Sequence, residues 1–349
     1  MTIESAAPRS VCLLRLSAIG DTCHVVPVLR TLQNAYPQAR FTWIIGGLES
    51  RLMRLIDGVE FIIVDKRAGF AGMRAARRAL AGRHFDALLH MQLAFRASLI
   101  ASQVAADVKI GFDRARAREL QWLFTNRRIE PRAREHVLDS LFGFAAALGV
   151  RERILRWDLP LPPDALAYAQ RHIPDDSPTL VMSPCSSHAL RNWSAERYAA
   201  IADYAHGRHG LRVVLTGGPS AAERSMGEAI SRAARSSPVN LVGQDTLPQL
   251  LALLARARVL LSPDSGPAHM ATMVGTPVIG LYAATNPART GPYLSRRWCI
   301  DAYPEAARRF RGREPEELAW TEKIEEPGVM DLITADAVRA KLDELLAQA

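Results

Sequence analysis

The chain has 349 residues, of which 48% are hydrophobic and 23% charged; this composition is ordinary for a folded protein and excludes extended disorder. The length exceeds the usual size of one hydrophobic core, so two domains of roughly 150 to 180 residues are expected. The net charge of +8 lies in the first half, because residues 1–150 hold 21 Lys and Arg against 13 Asp and Glu, whereas residues 151–349 hold 23 of each. That half would attract a polyanion, an acidic membrane surface or a phosphorylated ligand, unless its arginines form only a solvated surface.

Short apolar runs alternate with helical patterns along the whole chain. The first half contains the predicted strands SVCLLRL, FTWIIG, EFIIVD and FDALLHM, and the second half contains PTLVMSP, LRVVLTG, NLVG, RVLLSP and TPVIGLY. Strands that alternate with helices form parallel β-α-β units. The sequence therefore predicts an α/β fold of two doubly wound, Rossmann-like domains.

A proline-rich segment, WDLPLPPD, separates the two halves and suits a linker, because it cannot sustain a helix or a central strand. We expect an N-terminal domain over residues 1–157 and a C-terminal domain over residues 165–330. Residues 331–349 predict a closing helix with Thr334 at its N-cap.

Targeting signals and metal motifs are missing from the sequence. The start, MTIESAAPRS, lacks the pattern of a secretory signal, and the uncharged stretch 265–288 contains three prolines and three glycines, so neither export nor a membrane helix is expected. The four cysteines include no C-x-x-C pair and are expected to be reduced and mostly buried: Cys12, Cys23, Cys185 and Cys299. No Asp-x-Asp occurs, so we expect no bound metal ion and no cofactor.

The first motif is RLSAIGD, residues 15–21, between the first strand and its helix. Its glycine lets a substrate approach the backbone, and Asp21 brings a carboxylate to the ligand-facing edge of the sheet. Favourable electrostatics at a helix start would also explain an Asp at this position. The G-x-G-x-x-G fingerprint of dinucleotide-binding enzymes is absent.

The second motif, SPCSSHALRNW, follows the strand that opens the second domain. The hydroxyls of Ser186 and Ser187 and the guanidinium of Arg191 are groups that bind diphosphate oxygens, although a serine-rich loop also serves as a helix cap. Trp193 is expected to pack in the core.

The third motif, residues 258–287, carries the strongest signal. A strand ends at Pro263, the residues Asp264, Ser265 and Gly266 follow, and a helix begins near Pro267, so backbone amides at a helix N-terminus form an anion site. His269, one turn into the helix, could add a hydrogen-bond donor, although a helical histidine is often structural.

Together, the segments SAIGD, RNW and DSGPAH followed by GTPVIGLY closely resemble glycosyltransferase family nine, the ADP-heptose:lipopolysaccharide heptosyltransferases. The resemblance covers nearly the whole chain. The runs MQLAFRASLIAS and KIGFDRARARELQWLF further resemble the heptosyltransferase I subgroup, which acts on a phosphorylated Kdo residue. The family implies a GT-B arrangement, in which two Rossmann-like domains face each other across a cleft, with the acceptor bound by the first domain and ADP-heptose by the second.

The resemblance also implies roles for individual residues. Asp21 matches the general base of an inverting transfer, and Arg191 matches a phosphate-binding position where lysine is common in the family. The remaining donor-binding residues would be Ser186, Ser187, Glu223, Asp264, Ser265, Gly266 and His269. The acceptor-binding candidates are Arg15, Gly20, Arg67, Arg74, Arg96, Lys109, Arg114, Arg116 and Arg118.

The implied function is the metal-independent transfer of heptose to a Kdo-lipid A acceptor by a cytoplasmic enzyme that contacts the anionic inner membrane peripherally. Within the family, another sugar or a later heptose remains open. A non-catalytic nucleotide-sugar binder is a further alternative, and Asp21 speaks against it. A nucleic-acid-binding protein would explain the pI of about 9.7, but its basic residues would be expected within an aromatic-interleaved motif that this sequence lacks.

Overall fold

The computed structural model describes residues 7–66 and 68–348. The chain forms two compact units, Met1–Pro160 and Leu161–Ala349. Each unit contains its own parallel sheet with helices. The two doubly wound α/β domains predicted from the sequence are therefore confirmed.

Within the described residues, the first unit has a six-stranded sheet in the order β3-β2-β1-β4-β5-β6. Its strands are β1 (Ser10–Leu14), β2 (Arg40–Gly46), β3 (Val59–Val64), β4 (Phe85–His90), β5 (Ala106–Gly111) and β6 (Arg127–Arg128). Its helices are α1 (Ile19–Ala35), α2 (Gly47–Met53), α3 (Gly69–Leu80), α4 (Phe95–Ala101) and α5 (Val137–Ala147). This is the Rossmann strand order, in which ligands bind at the carboxyl ends of β1 and β4, where the direction of the chain's progress through the sheet reverses.

The second unit repeats this topology, with the described strands in the order β12-β11-β10-β7-β8-β9. Its strands are β7 (Thr179–Met182), β8 (Arg212–Leu215), β9 (Val239–Asn240), β10 (Val259–Pro263), β11 (Val278–Tyr282) and β12 (Ile300–Asp301). Its helices are α6 (Pro163–His172), α7 (Ala195–His209), α8 (Ala221–Ala233), α9 (Leu247–Arg256), α10 (Gly266–Met273), α11 (Pro287–Thr290), α12 (Tyr303–Arg311) and α13 (Ala335–Ala347). The reversal in this sheet lies between β7 and β10, which places the second and third sequence motifs side by side.

Helix α1 continues through Pro27 because a distant side chain replaces the hydrogen bond that proline cannot donate. A proline at this position leaves the carbonyl of Cys23, four residues earlier, without its helical partner. The buried indole of Trp157 donates to that carbonyl at 2.9 Å. The next residue, Asp158, accepts from the Arg30 guanidinium of the same helix at 2.7 Å. These contacts attach the end of the first unit to α1.

Two side chains predicted from the sequence are placed as expected in the second unit. Trp193 is 1% exposed, and its indole donates to the carbonyl of Ile333 at 3.0 Å. The hydroxyl of Thr334 caps α13 by accepting from the backbone N–H of Ala337 at 3.2 Å.

The four cysteines are free thiols, two of them buried and two half-buried. None of the helices in the described part of the chain combines the length and apolarity that a membrane span requires.

Candidate active site

Asp21 lies in the first turn of α1, just beyond the carboxyl end of β1. Its carboxylate contacts the guanidinium of Arg15 and accepts from the backbone N–H of Ala18 at 3.3 Å. Its side chain is 32% exposed, whereas that of Arg15 is 12% exposed. The carboxylate is thus held in one orientation and remains open to a substrate, as a general base requires.

Arg15 connects the loops that follow β1 and β4. Its guanidinium donates to the carbonyl of Met91 at 2.5 Å and to that of Ser17 at 2.8 Å. Burial, together with the positive charge of Arg15, lowers the pKa of the neighbouring His90 imidazole to about 3, so this side chain is neutral at physiological pH. The structure places Arg15 as a support for Asp21, and its predicted contact with the acceptor stays a prediction, as does that of Gly20, which is buried in α1.

The remaining acceptor candidates of the first unit divide into engaged and exposed side chains. Arg116 binds the carboxylates of Asp113 and Glu135, and the ammonium of Lys109 donates to the carbonyl of Ala101 at 3.2 Å. Burial lowers the pKa of Lys109. Arg74, Arg96, Arg114 and Arg118 are exposed, and Arg67 lies outside the described residues. Of the exposed arginines, Arg96 donates to the carbonyl of Lys66 at 2.9 Å and Arg118 to that of Ala115 at 3.0 Å.

A basic cavity that the sequence did not predict lies beside β6 and α5. Its volume is about 390 Å³. Three of its arginines pair with carboxylates, Arg116 with Glu135, Arg153 with Asp139 and Arg132 with Glu130. The other arginines that line it are Arg127, Arg128 and Arg151. The positive charge of the first half therefore includes a concave surface and is not spread evenly.

In the second unit, hydrogen bonds join the loops after β7 and β10 into one structure. The hydroxyl of Ser186 donates to the carbonyl of Asp264 at 2.9 Å, and that of Ser262 donates to the carbonyl of Ser183 at 3.1 Å. The hydroxyl of Ser265, the N-cap residue of α10, lies 2.8 Å from that of Ser262. The start of α10 is thereby fixed beside the β7 loop, with the unpaired amides of its first turn available to an anion.

Arg191 lies between two carboxylates at this edge of the second sheet. Its Nε donates to the carboxylate of Glu325 at 2.8 Å, its Nη2 lies 2.6 Å from the same carboxylate, and its Nη1 lies 3.4 Å from the carboxylate of Asp264. A guanidinium has five N–H donors, so these three contacts leave two N–H groups for a phosphate. Burial opposes ionisation of Glu325, but the hydrogen bond and the charge of Arg191 outweigh it and hold the pKa of Glu325 below its usual value.

The other predicted donor residues differ in the exposure and in the contacts of their side chains. Ser187 is exposed, and His269 is buried on α10. The carboxylate of Glu223 is engaged by the loop before α8, since it accepts from the backbone N–H of Gly218 at 2.5 Å and from the hydroxyl of Ser220 at 3.0 Å. The structure brings Ser186, Arg191, Asp264 and Ser265 together, which the sequence predicted.

Sequence reasoning missed two residues that position this centre. Glu325 binds Arg191 from more than 100 positions away, and Asn192 accepts from the backbone N–H of Ser186 at 2.7 Å. Only the position of Asn192 in the RNW segment could have indicated its role. Among the described residues, no group of three or more His, Cys, Asp or Glu side chains is arranged to hold a metal ion.

Comparisons with known proteins identify the family of the chain. Residues 73–319 match the model for "Glycosyltransferase family 9 (heptosyltransferase)". The chain is 40% identical, over 345 residues and 99% of each chain, to the lipopolysaccharide core heptosyltransferase OpsX of Haemophilus influenzae.

Two solved structures share the fold. A family 9 glycosyltransferase from Veillonella parvula has a TM-score of 0.79, with 22% identity over 98% of each chain. The Escherichia coli heptosyltransferase WaaC with ADP has a TM-score of 0.73, with 22% identity over 96% of this chain and 99% of that one. The protein is a glycosyltransferase. Within that class it belongs to family 9, the heptosyltransferase family.

Arg191→Ala is expected to weaken the binding of ADP about 10- to 100-fold, the usual worth of hydrogen bonds from a charged group. Arg191→Lys keeps the positive charge but loses the planar guanidinium. Its affinity for ADP should therefore lie between that of wild type and that of Arg191→Ala. Isothermal titration calorimetry without acceptor measures the effect. The matched control is Arg313→Ala, because Arg313 is an exposed arginine of the same unit. Equal ADP affinity for wild type and Arg191→Ala would remove Arg191 from the donor site.

Proposed function

We propose that this enzyme is a heptosyltransferase I of the lipopolysaccharide core, which transfers heptose from ADP-L-glycero-D-manno-heptose to a phosphorylated Kdo residue. The observation that carries heptose transfer to the core is the similarity to the Haemophilus core heptosyltransferase over 99% of both chains. The choice of heptosyltransferase I is supported by the resemblance of the runs MQLAFRASLIAS and KIGFDRARARELQWLF to that subgroup. The SAIGD and DSGPAH loops, which place Asp21 and the α10 amides at the carboxyl ends of β1 and β10, support it.

The reaction proposed is a single inverting displacement. An acceptor hydroxyl oxygen attacks the anomeric carbon of the heptose, the bond from that carbon to the ADP oxygen breaks, and the hydroxyl proton passes to the Asp21 carboxylate. The two free N–H groups of Arg191 and the amides at the start of α10 stabilise the negative charge on the departing diphosphate. No covalent glycosyl-enzyme is involved, so one catalytic carboxylate is sufficient.

These groups also make a metal ion unnecessary in the proposed mechanism. A divalent cation usually neutralises a diphosphate through carboxylate and water ligands. Here a guanidinium and a helix N-terminus supply the positive potential, and both lie at the edge where β7 and β10 end. We therefore propose that catalysis is independent of metal ions.

The basic first half supports an anionic acceptor. Four of its arginine candidates are exposed, and the cavity beside β6 adds further guanidiniums. Such a surface increases the rate of encounter with a phosphorylated, lipid-linked saccharide. We propose that the enzyme works at the cytoplasmic face of the inner membrane, in peripheral contact with its anionic headgroups.

A second candidate is the addition of a later heptose within the same family. The Arg and Lys side chains of the first unit favour a phosphorylated acceptor but do not identify the sugar that is attacked. Membership of an enzyme family disfavours the nucleic-acid-binding and non-catalytic alternatives. The acceptor is therefore the part of the proposal that most needs an experiment.

Asp21→Asn is expected to lower kcat about 10²- to 10⁴-fold, the usual contribution of a general base, and to leave ADP affinity nearly unchanged. The amide preserves the size of the side chain. Asp164→Asn is the matched control, because Asp164 is an exposed carboxylate that also lies in the first turn of a helix. Steady-state kinetics with ADP-heptose measure both variants. Near-wild-type turnover of Asp21→Asn, or an equal loss in Asp164→Asn, would show that Asp21 is not the base.

The KM for a phosphorylated Kdo-lipid A acceptor is expected to rise more steeply with salt than the KM for ADP-heptose. Long-range attraction is screened over a Debye length of about 10 Å at 0.1 M salt, whereas close contacts in the donor site are screened less. The double variant Arg114→Glu/Arg118→Glu should raise the acceptor KM as high salt does. Initial rates between about 50 and 300 mM salt measure the slopes.

The control for this charge reversal is Arg171→Glu/Arg313→Glu, which makes the same change of net charge with exposed residues of the second unit. It should leave the acceptor KM at the wild-type value. Equal salt slopes for the two substrates, or equal effects of the two double variants, would show that the first unit does not attract the acceptor through these arginines.

A further inference from the structure

Three large apolar side chains are exposed together at the carboxyl end of the first sheet. Phe95, at the start of α4, is 43% exposed, and Leu120 and Leu123, in the loop between β5 and β6, are 46% and 68% exposed. The two segments are in contact, because the carboxylate of Glu119 accepts from the backbone N–H of Phe95, and the rings of Phe95 and Phe124 pack edge to face with centroids 6.1 Å apart. We call Phe95, Leu120 and Leu123 the apolar tip. Large apolar side chains that are grouped on a surface indicate an interaction site.

The backbone of the loop is strained in the conformation that exposes the leucines. Glu119 and Leu120 have φ angles of 50° and 60°, in the left-handed region that residues other than glycine rarely adopt. The fully buried Gln121 holds this conformation, since its amide donates to the carbonyls of His90 and Gln92 at 2.9 and 3.0 Å. A loop that buries a glutamine and exposes leucines reverses the usual order of burial. This reversal indicates that the leucines contact a partner outside the chain.

The apolar tip is attached to the same loop that supports Asp21. Gln121 binds the carbonyls on either side of Met91. The carbonyl of Met91 accepts from Arg15, which in turn contacts the carboxylate of Asp21. A partner that covers the apolar tip therefore lies at the edge of the sheet where the acceptor reacts in the proposed mechanism.

Arginines surround the apolar tip. Arg96, Arg114 and Arg118 are exposed and lie beside it in the sequence; we call them the arginine rim. Arg96 and Arg118 donate to backbone carbonyls, which do not neutralise their charge. With the negative charge of Glu119, three arginines and one glutamate leave an excess of two positive charges. The partner is therefore expected to be anionic.

Charge also distinguishes the candidate partners. A second copy of the chain would bring two arginine rims together, and like charges that face each other weaken an interface. An anionic bilayer instead offers phosphates to the arginine rim and an apolar interior to the apolar tip. Phenylalanine and leucine bordered by arginine are typical of protein surfaces that lie in a membrane interface.

We propose that the apolar tip inserts into the interface of an anionic phospholipid bilayer, with the arginine rim on the lipid headgroups. The bilayer then holds the edge of the first unit that carries Asp21 at the level of a saccharide attached to lipid. This inference rests on the proposed function, because it takes the acceptor to be lipid-linked.

Binding of the full-length protein to sedimented vesicles of phosphatidylglycerol and phosphatidylcholine, without any glycolipid, tests this proposal. The variant Leu120→Gly/Leu123→Ser removes two side chains of the apolar tip, and glycine adopts the left-handed conformation at position 120 without a clash. We expect the partition coefficient to fall about tenfold or more, the usual effect of no longer burying a leucine side chain. The matched control is Leu166→Ser/Leu294→Ser, which removes leucines of the second unit that are 49% and 52% exposed. It should bind vesicles as wild type does.

Trp122 offers a second measurement at the same place. It is half-buried between the two leucines of the apolar tip. Lipids with brominated acyl chains quench an indole that they contact. Such vesicles should quench the fluorescence of wild type more strongly than that of Trp122→Phe.

The proposal is overturned if the tip variant binds vesicles as well as wild type, if the control variant loses as much binding, or if wild type and Trp122→Phe are quenched equally. Equal binding of wild type to vesicles of phosphatidylcholine alone would also overturn it, because the arginine rim would then contribute nothing. So would a dimer, detected by light scattering, that the tip variant abolishes, since the apolar tip would then be a contact between copies.

Failure of the proposed function is distinguishable, because these vesicles contain neither donor nor acceptor. Absent heptose transfer by a wild-type protein that binds vesicles through the apolar tip would reject only the transfer. Conversely, heptose transfer together with vesicle binding that the tip variant does not change would reject only the role of the apolar tip.

Discussion

The placement of Arg191 between two carboxylates is the constraint on which the donor site depends. A guanidinium beside a helix N-terminus would be repelled by the positive end of the helix dipole if nothing held it there. Glu325 and Asp264 compensate that repulsion and fix the plane of the guanidinium. Hydrogen bonds between the β7 and β10 loops then hold the start of α10 at the same edge. Two N–H groups of Arg191 and the first amides of α10 are left for an anion, which is the chemistry that a departing diphosphate needs.

The same strand order in both units explains why the functional loops occur where they do. In each sheet the chain reverses its direction of progress between two central strands, and the loops at their carboxyl ends separate to form a crevice. The first unit places a partly exposed carboxylate there, on Asp21. The second unit places the guanidinium of Arg191 and the N-terminus of α10 there. The same topology therefore presents a negative group in one unit and positive groups in the other.

The sequence was sufficient for the elements with strong local signals. The run RVLLSPDSGPAH predicted a strand ending at Pro263 and a helix near Pro267, and the structure has β10 and α10 at those places. Strands β5, β6 and β12 were not predicted. β5 contains Asp107 and Lys109 and lacks a continuous apolar run, whereas β6 and β12 have only two residues each, so their pairing with a neighbouring strand defines them.

The contacts that complete the site depend on distant parts of the chain, which is why the sequence could not supply them. Nothing near Glu325 indicates that it binds Arg191, since the pair is created by the packing of the second unit. Composition indicated a basic first half, but only the structure separates Arg116, which is used internally, from exposed arginines such as Arg114.

The central claim is that the chain transfers heptose from an adenine nucleotide to phosphorylated Kdo without a metal ion. The most direct measurement is ADP release from ADP-heptose in excess EDTA, with Kdo-lipid A that carries or lacks the Kdo phosphate. The account predicts rapid release with the phosphorylated acceptor, slower release without the phosphate, and no effect of EDTA. Release only with an acceptor that already carries heptose, or activity that EDTA abolishes and magnesium restores, would contradict it.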